Sequence, residues 1–167
     1  VLGFATIESS TQQPQRSIMQ KPELIEVQDQ TFATVYRIEH KDSGWGIYRG
    51  GGYNYSPIIK DYHSAPERHP LPHNDSLLVE NVPKDRWGAL GIRDRHFFGF
   101  SSKEQLRAWL YEDVFLTDLH DRGFVMKTFV VPVEHFFLGH TQVVFVRQEA
   151  ISSTEHSLLE YFNLSRK

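Results

Sequence analysis

Three histidines lie close together at His63, His69 and His73, with Glu67 and Asp75 beside them. Imidazole nitrogens and carboxylate oxygens are the ligands that Zn²⁺ or a similar divalent cation takes. The spacing is H-x5-H-x3-H, interrupted by Pro66, Pro70 and Pro72. Proline forbids the helix that would turn His69 and His73 to one face. Two readings follow, a metal-dependent hydrolase built on this loop and a solvated loop with no metal.

A second group is KDSGWGIYRGGGYNYSP, where Gly44, Gly46 and Gly50 to Gly52 alternate with Trp45, Tyr48, Tyr53 and Tyr55. Glycines let a backbone approach a phosphate, and successive N–H groups can cradle it. Neither the Walker pattern nor a G-x-G-x-x-G between strand and helix is present. An ordered aromatic loop is the alternative. The third candidate is Arg37, inside a run of strand-forming residues, where an unpaired guanidinium would be costly. Its partner is a ligand anion or an internal carboxylate near Glu39 or at Glu149. The pattern G-x-S-x-G is absent, and Ser101 and Ser102 are read as a helix cap.

The elements that must carry these groups follow from pattern. FATVYRIEH (32–40) is a strand, with Phe32, Thr34, Tyr36 and Ile38 on one face and Ala33, Val35, Arg37 and Glu39 on the other. From Asp42 to Asp94 no periodic segment is expected, only a long loop. FFGF (97–100) is a short strand, after which Ser101 and Glu104 form a capping box. Leu106, Trp109 and Leu110 give that helix one apolar face. A second helix is expected over Asp113–Arg122, with Val114, Leu116 and Leu119 inward and Gly123 as its stop. VMKTFVVPV and TQVVFVRQ are strands joined by EHFFLGH. A capping box of Ser152 with Glu155 opens a last helix bearing Leu158, Leu159 and Phe162.

This order predicts an α+β domain with a small mixed or antiparallel split sheet and two or three helices. Residues 1–30, polar and poor in large apolar side chains, are expected as a flexible lead-in to one domain over 31–167. The 167 residues carry a formal net charge of −3, which disfavours generic nucleic-acid binding by phosphate neutralisation. There is no cysteine, so disulfides, zinc knuckles and thiol nucleophiles are excluded. The opening residues lack a basic segment followed by an apolar one, and no run is long enough to span a membrane. A cytoplasmic location is the resulting expectation.

Taken together, YRIEHKDSGWGIYRG, FGFSSKEQLRAWL and HTQVVF resemble small uncharacterised phage and prophage proteins over most of Val35 to Phe145. More remotely, the order of motifs is similar to the ADP-ribosyltransferase fold. That resemblance implies NAD as cofactor. Arg37 in VYRIE would hold its ribose or phosphate, Ser101 in FGFSS would contact it, and Tyr48 or Tyr53 would stack on it. The catalytic place falls at Gln142 in HTQVVF. An uncharged amide cannot stabilise an oxocarbenium-like transition state, so Glu149 is the candidate substitute. On this reading the protein transfers ADP-ribose or cleaves an N-glycosidic bond. The alternative is a non-catalytic module that inhibits a host defence protein through the aromatic loop Gly44 to Tyr55. Tyr, Trp and Arg are the residues favoured as interface anchors.

Overall fold

The strand expected over 32–40 is the spine of the fold. In a computed structural model that describes residues 21–47, 71–88, 91–92 and 95–165, it runs from Gln30 to His40 as β2. β1 (Leu24–Val27) precedes it across a two-residue turn in which Gln28 and Asp29 both have positive φ. That is the hairpin geometry whose twist suits flanking strands. A strand therefore occupies part of the expected lead-in. It is held by pairing to β2 rather than by burial of its own side chains, so composition does not reveal it. Just before it, the Tyr36 hydroxyl donates to Glu23 Oε2 at 2.6 Å. Burial and this bond push the Tyr36 phenol well above its usual range, so it remains a donor.

β6 (Phe124–Pro132) pairs antiparallel with β2, and β9 (Ser152–His156) pairs with β6, giving the order β1-β2-β6-β9. β5 (His96–Gly99), β8 (Val143–Val146) and β7 (Phe136–Leu138) form a second antiparallel sheet, ordered β5-β8-β7. A small ribbon, β3 (Trp87–Gly88) with β4 (Gly91–Ile92), stands apart. Four helices lie among the described residues: α1 (Ser76–Asn81), α2 (Lys103–Trp109), α3 (Asp113–Asp121) and α4 (Leu158–Phe162). None of them is long and apolar enough to cross a membrane.

The alternation expected in β2 holds, but both faces are buried. Tyr36 and Ile38, with Phe124 and Met126 of β6, pack under Leu106, Trp109, Leu116, Leu119 and Leu158 of the helices. Val35, Phe129 and Val131 face the other way, onto Val143 and Phe145 of the second sheet. Gly99 permits this close stacking, since a Cβ there would lie 2.5 Å from Val35 Cγ1. Beyond the second sheet, α1 packs Leu78 against Val144. The layers are helices, sheet, sheet, helix.

Several expectations are corrected. The stretch from Asp42 to Asp94 contains α1 and the β3–β4 ribbon, elements too short to show periodicity. The cap of α2 is one residue later than expected: Ser102 Oγ accepts from Gln105 N at 3.0 Å, while Gln105 Oε1 accepts from Ser101 N. In α3, Phe115 is buried with Leu116 and Leu119, and Val114 is 69% exposed. EHFFLGH itself supplies β7. Ser152 to His156 is an edge strand, not a cap, and its last helix starts after Ser157. An edge strand with one exposed face can be as polar as a helix start.

Asp75 joins the layers. As the cap of α1 its Oδ1 accepts from Leu78 N and from His140 N, and its Oδ2 accepts from the Thr141 backbone and hydroxyl. Burial alone pushes the carboxyl up, but these hydrogen bonds outweigh it and hold it below the usual range. Both oxygens are committed to the fold rather than to a metal. A depressed folded-state value contributes stability that is present above the unfolded value near about 4 and is lost as pH falls through the folded one. Asp75→Ala is expected to cost about 2–4 kcal/mol at neutral pH. In urea denaturation the gap from wild type should narrow as the solution is acidified below about pH 4.

Candidate functional site

Three strands of the sandwich each carry one cation at the end of an otherwise apolar run: Arg37 in β2, Lys127 in β6, and Arg147 just after β8. Arg37 and Lys127 are directly opposed across the β2–β6 pair, and Glu155 of β9 is opposed to Lys127. Glu39, two residues along β2, shares their face and has no exposed surface. Its carboxylate gathers all three cations. Arg37 Nε reaches Oε2 at 3.1 Å, while Arg147 Nη2 and Lys127 Nζ reach Oε1 at 2.8 Å and 3.1 Å. Arg37 Nη1 also donates to the Phe98 carbonyl. Both guanidinium carbons lie over the Phe97 ring, at 5.2 Å and 5.5 Å from its centre, and Arg147 also lies over Phe129.

The cluster has a lid made by the glycines of the sequence GWG. The chain leaves β2 in a tight turn, with Gly44 N donating to His40 O and His40 N donating to Trp45 O, and Gly46 bridges back to Glu39. Gly44 has φ of +68°, and a Cβ there would lie 2.8 Å from Arg147 Nη1. A Cβ on Gly46 would lie 2.7 Å from Arg37 Nη2. Arg147 Nη1 donates to the Gly44 carbonyl at 3.2 Å. The glycines are needed because the guanidiniums press against them. Trp45, between them, is 44% exposed.

The expected site residues separate. Arg37 is sealed between the sheets by Glu39 and Phe98. Ser101 precedes α2, which packs with Tyr36 and Ile38 on the opposite face of β2. Ser101 is fully buried, and its hydroxyl and N–H both meet Gln105 Oε1. Gln105 Nε2 in turn donates to the His140 carbonyl at 3.4 Å, so Ser101 and the turn holding Gln142 are neighbours. Gln142 is buried there, its carbonyl accepting from Gly139 N. Glu149 is exposed at the other end of β8. Gln142 and Glu149 thus stand at opposite ends of β8. Tyr48, Tyr53, His63, Glu67 and His69 lie outside the described residues. Among those described, no group of three or more His, Asp or Glu is placed to hold a metal.

Sequence reading missed Lys127 and Arg147. The available signal was a lone cation within or at the end of each of three apolar runs, which a buried carboxylate must answer. Removing one partner of a buried ion cluster leaves uncompensated charge, so Glu39→Gln is expected to cost about 3–5 kcal/mol. Gly46→Ala should cost about 1–3 kcal/mol by overpacking against Arg37. Equilibrium unfolding of both variants checks these values.

A family model described as Bacteriophage T4 Y00F protein matches residues 22–159. No curated protein and no solved structure matches the chain. The matched span begins just before β1, ends within α4, and takes in Arg37, Glu39, the glycine turn, Lys127 and Arg147. The chain therefore belongs to the bacteriophage T4 Y00F protein family.

Proposed function

We propose that the protein is a non-catalytic binding module of phage type that engages a host protein, with Trp45 as its anchor. The observation that carries this reading is a large aromatic side chain left 44% exposed on a turn that packs against two arginines paired with a buried carboxylate. Exposing an indole forfeits hydrophobic stabilisation, whereas a fixed indole pays little entropy on docking. Tryptophan is enriched among residues that dominate interface energies. Membership of a phage family supports a host protein as the partner. Obstruction of a host defence protein is the finer form of the proposal.

The competing proposal is an NAD-dependent ADP-ribosyltransferase-like activity using Arg37, Ser101 and Gln142 or Glu149. It draws on chain order alone. Calorimetric titration separates the two. The binding-module reading expects no heat on adding NAD and an unchanged melting temperature.

Tagged wild-type protein should retain a stoichiometric partner from bacterial host lysate. Trp45→Ala, with an unchanged melting temperature, should bind that partner at least about 30-fold more weakly. Equal retention by the variant would contradict the role given to Trp45.

A further inference from the structure

The ion cluster holds more positive than negative charge. Arg37, Lys127 and Arg147 meet Glu39, while Lys127 and Lys41 meet Glu155 at 3.6 Å and 3.8 Å. Among the described residues four cations thus face two carboxylates, in a chain whose overall formal charge is −3. The surplus is local. Lys127 and Arg147 touch the same oxygen, Glu39 Oε1, so their cationic nitrogens are held side by side. Their side chains keep 18% and 28% of their surface open.

Donors remain on both. Lys127 Nζ lies 3.1 Å from Glu39 and 3.6 Å from Glu155, and its three N–H groups meet no further acceptor among the described residues. Arg147 uses one hydrogen of each Nη, on Glu39 and on the Gly44 carbonyl, and its other three N–H groups have no acceptor among the described residues. Two adjacent, partly desolvated cations with spare donors match a doubly charged oxyanion. We infer that Lys127 and Arg147 form a binding site for a phosphate group. This goes beyond the host-protein reading and does not rest on it. A phosphate there neutralises the surplus and accepts the remaining hydrogens. Glu155 borders the site and competes with the ligand for Lys127.

Inorganic phosphate is the probe, titrated at constant ionic strength maintained with sodium chloride. Wild type should show a saturable rise in melting temperature in the low millimolar range, with a matching ³¹P line broadening at room temperature. General exclusion of phosphate from protein surfaces rises without saturation and is distinguished by that. Lys127→Gln should abolish the saturable phase. Should that variant fail to fold, Glu155→Gln carries the test, because it leaves Glu39 and its cations in place. Removing this nearby negative charge should tighten phosphate about three- to tenfold. Phosphate indistinguishable from chloride in both wild type and Glu155→Gln, or a saturable phase unchanged in Lys127→Gln, would overturn the assignment.

Discussion

A single carboxylate with no exposed surface, Glu39, holds together the end of the sandwich where the apolar core runs out. Burying it unpaired would cost several kcal/mol. Three cations from three different parts of the chain remove that cost, and each becomes fixed by doing so. At the other end of the same interface Val35, Val131, Val143 and Phe145 pack as an apolar cluster, and Phe129 stands between them and Arg147. One contact surface thus has an apolar end and an ionic end. The ionic end also sets register, since a one-residue slip of β2 against β6 would turn Arg37 and Glu39 toward the helices.

The glycine turn inherits its shape from this cluster. Arg37 and Arg147 lie in contact with Gly46 and Gly44, so neither glycine position has room for a side chain. The turn closes on His40 through two backbone hydrogen bonds, and Trp45, between the two glycines, is left exposed. Asp75 plays the equivalent part on the far side, tying α1 to the turn between β7 and β8. Gly139 is needed there as well, since a Cβ would lie 2.5 Å from the Gln142 carbonyl and 2.7 Å from Asp75 Oδ2. In both places a buried carboxylate is accompanied by a glycine that makes room for its network.

The α+β class, the faces of β2 and the apolar faces of α2 and most of α3 were legible from periodicity. Pattern leaves the pairing mixed or antiparallel, and it is antiparallel throughout the described strands. What escaped was structure held by partners rather than by its own burial. β1 and β9 expose most of their side chains and exist because β2 and β6 offer edges. α1 has six residues, too few for a 3.6-residue period to be seen. Val114 fits the spacing of an inward position, yet Phe115 takes the core place. Partial burial of Arg37 and its need for a partner were legible, with an internal carboxylate near Glu39 as one of the alternatives, and alternation puts Glu39 on the same face. Lys127 and Arg147 escaped, because they come from β6 and from the turn after β8, 90 and 110 residues beyond Arg37 in the chain. Ser101 and Arg37 follow one another in a suggestive order, but each is taken up inside the fold, Ser101 by Gln105 and Arg37 by Glu39 and the Phe98 carbonyl.

Amide hydrogen exchange at Gly44, compared between wild type and Glu39→Gln, is the most direct probe of whether the buried carboxylate fixes the turn beneath Trp45. If it does, the Gly44 N–H, which donates to His40 O at 2.8 Å, is protected in wild type nearly as well as the middle of β2. In the variant it should lose that protection while the β2–β6 ladder around Val35 and Phe129 stays slow. Fast exchange at Gly44 in wild type, or equal protection in the two proteins, would mean that the turn and its indole do not depend on Glu39.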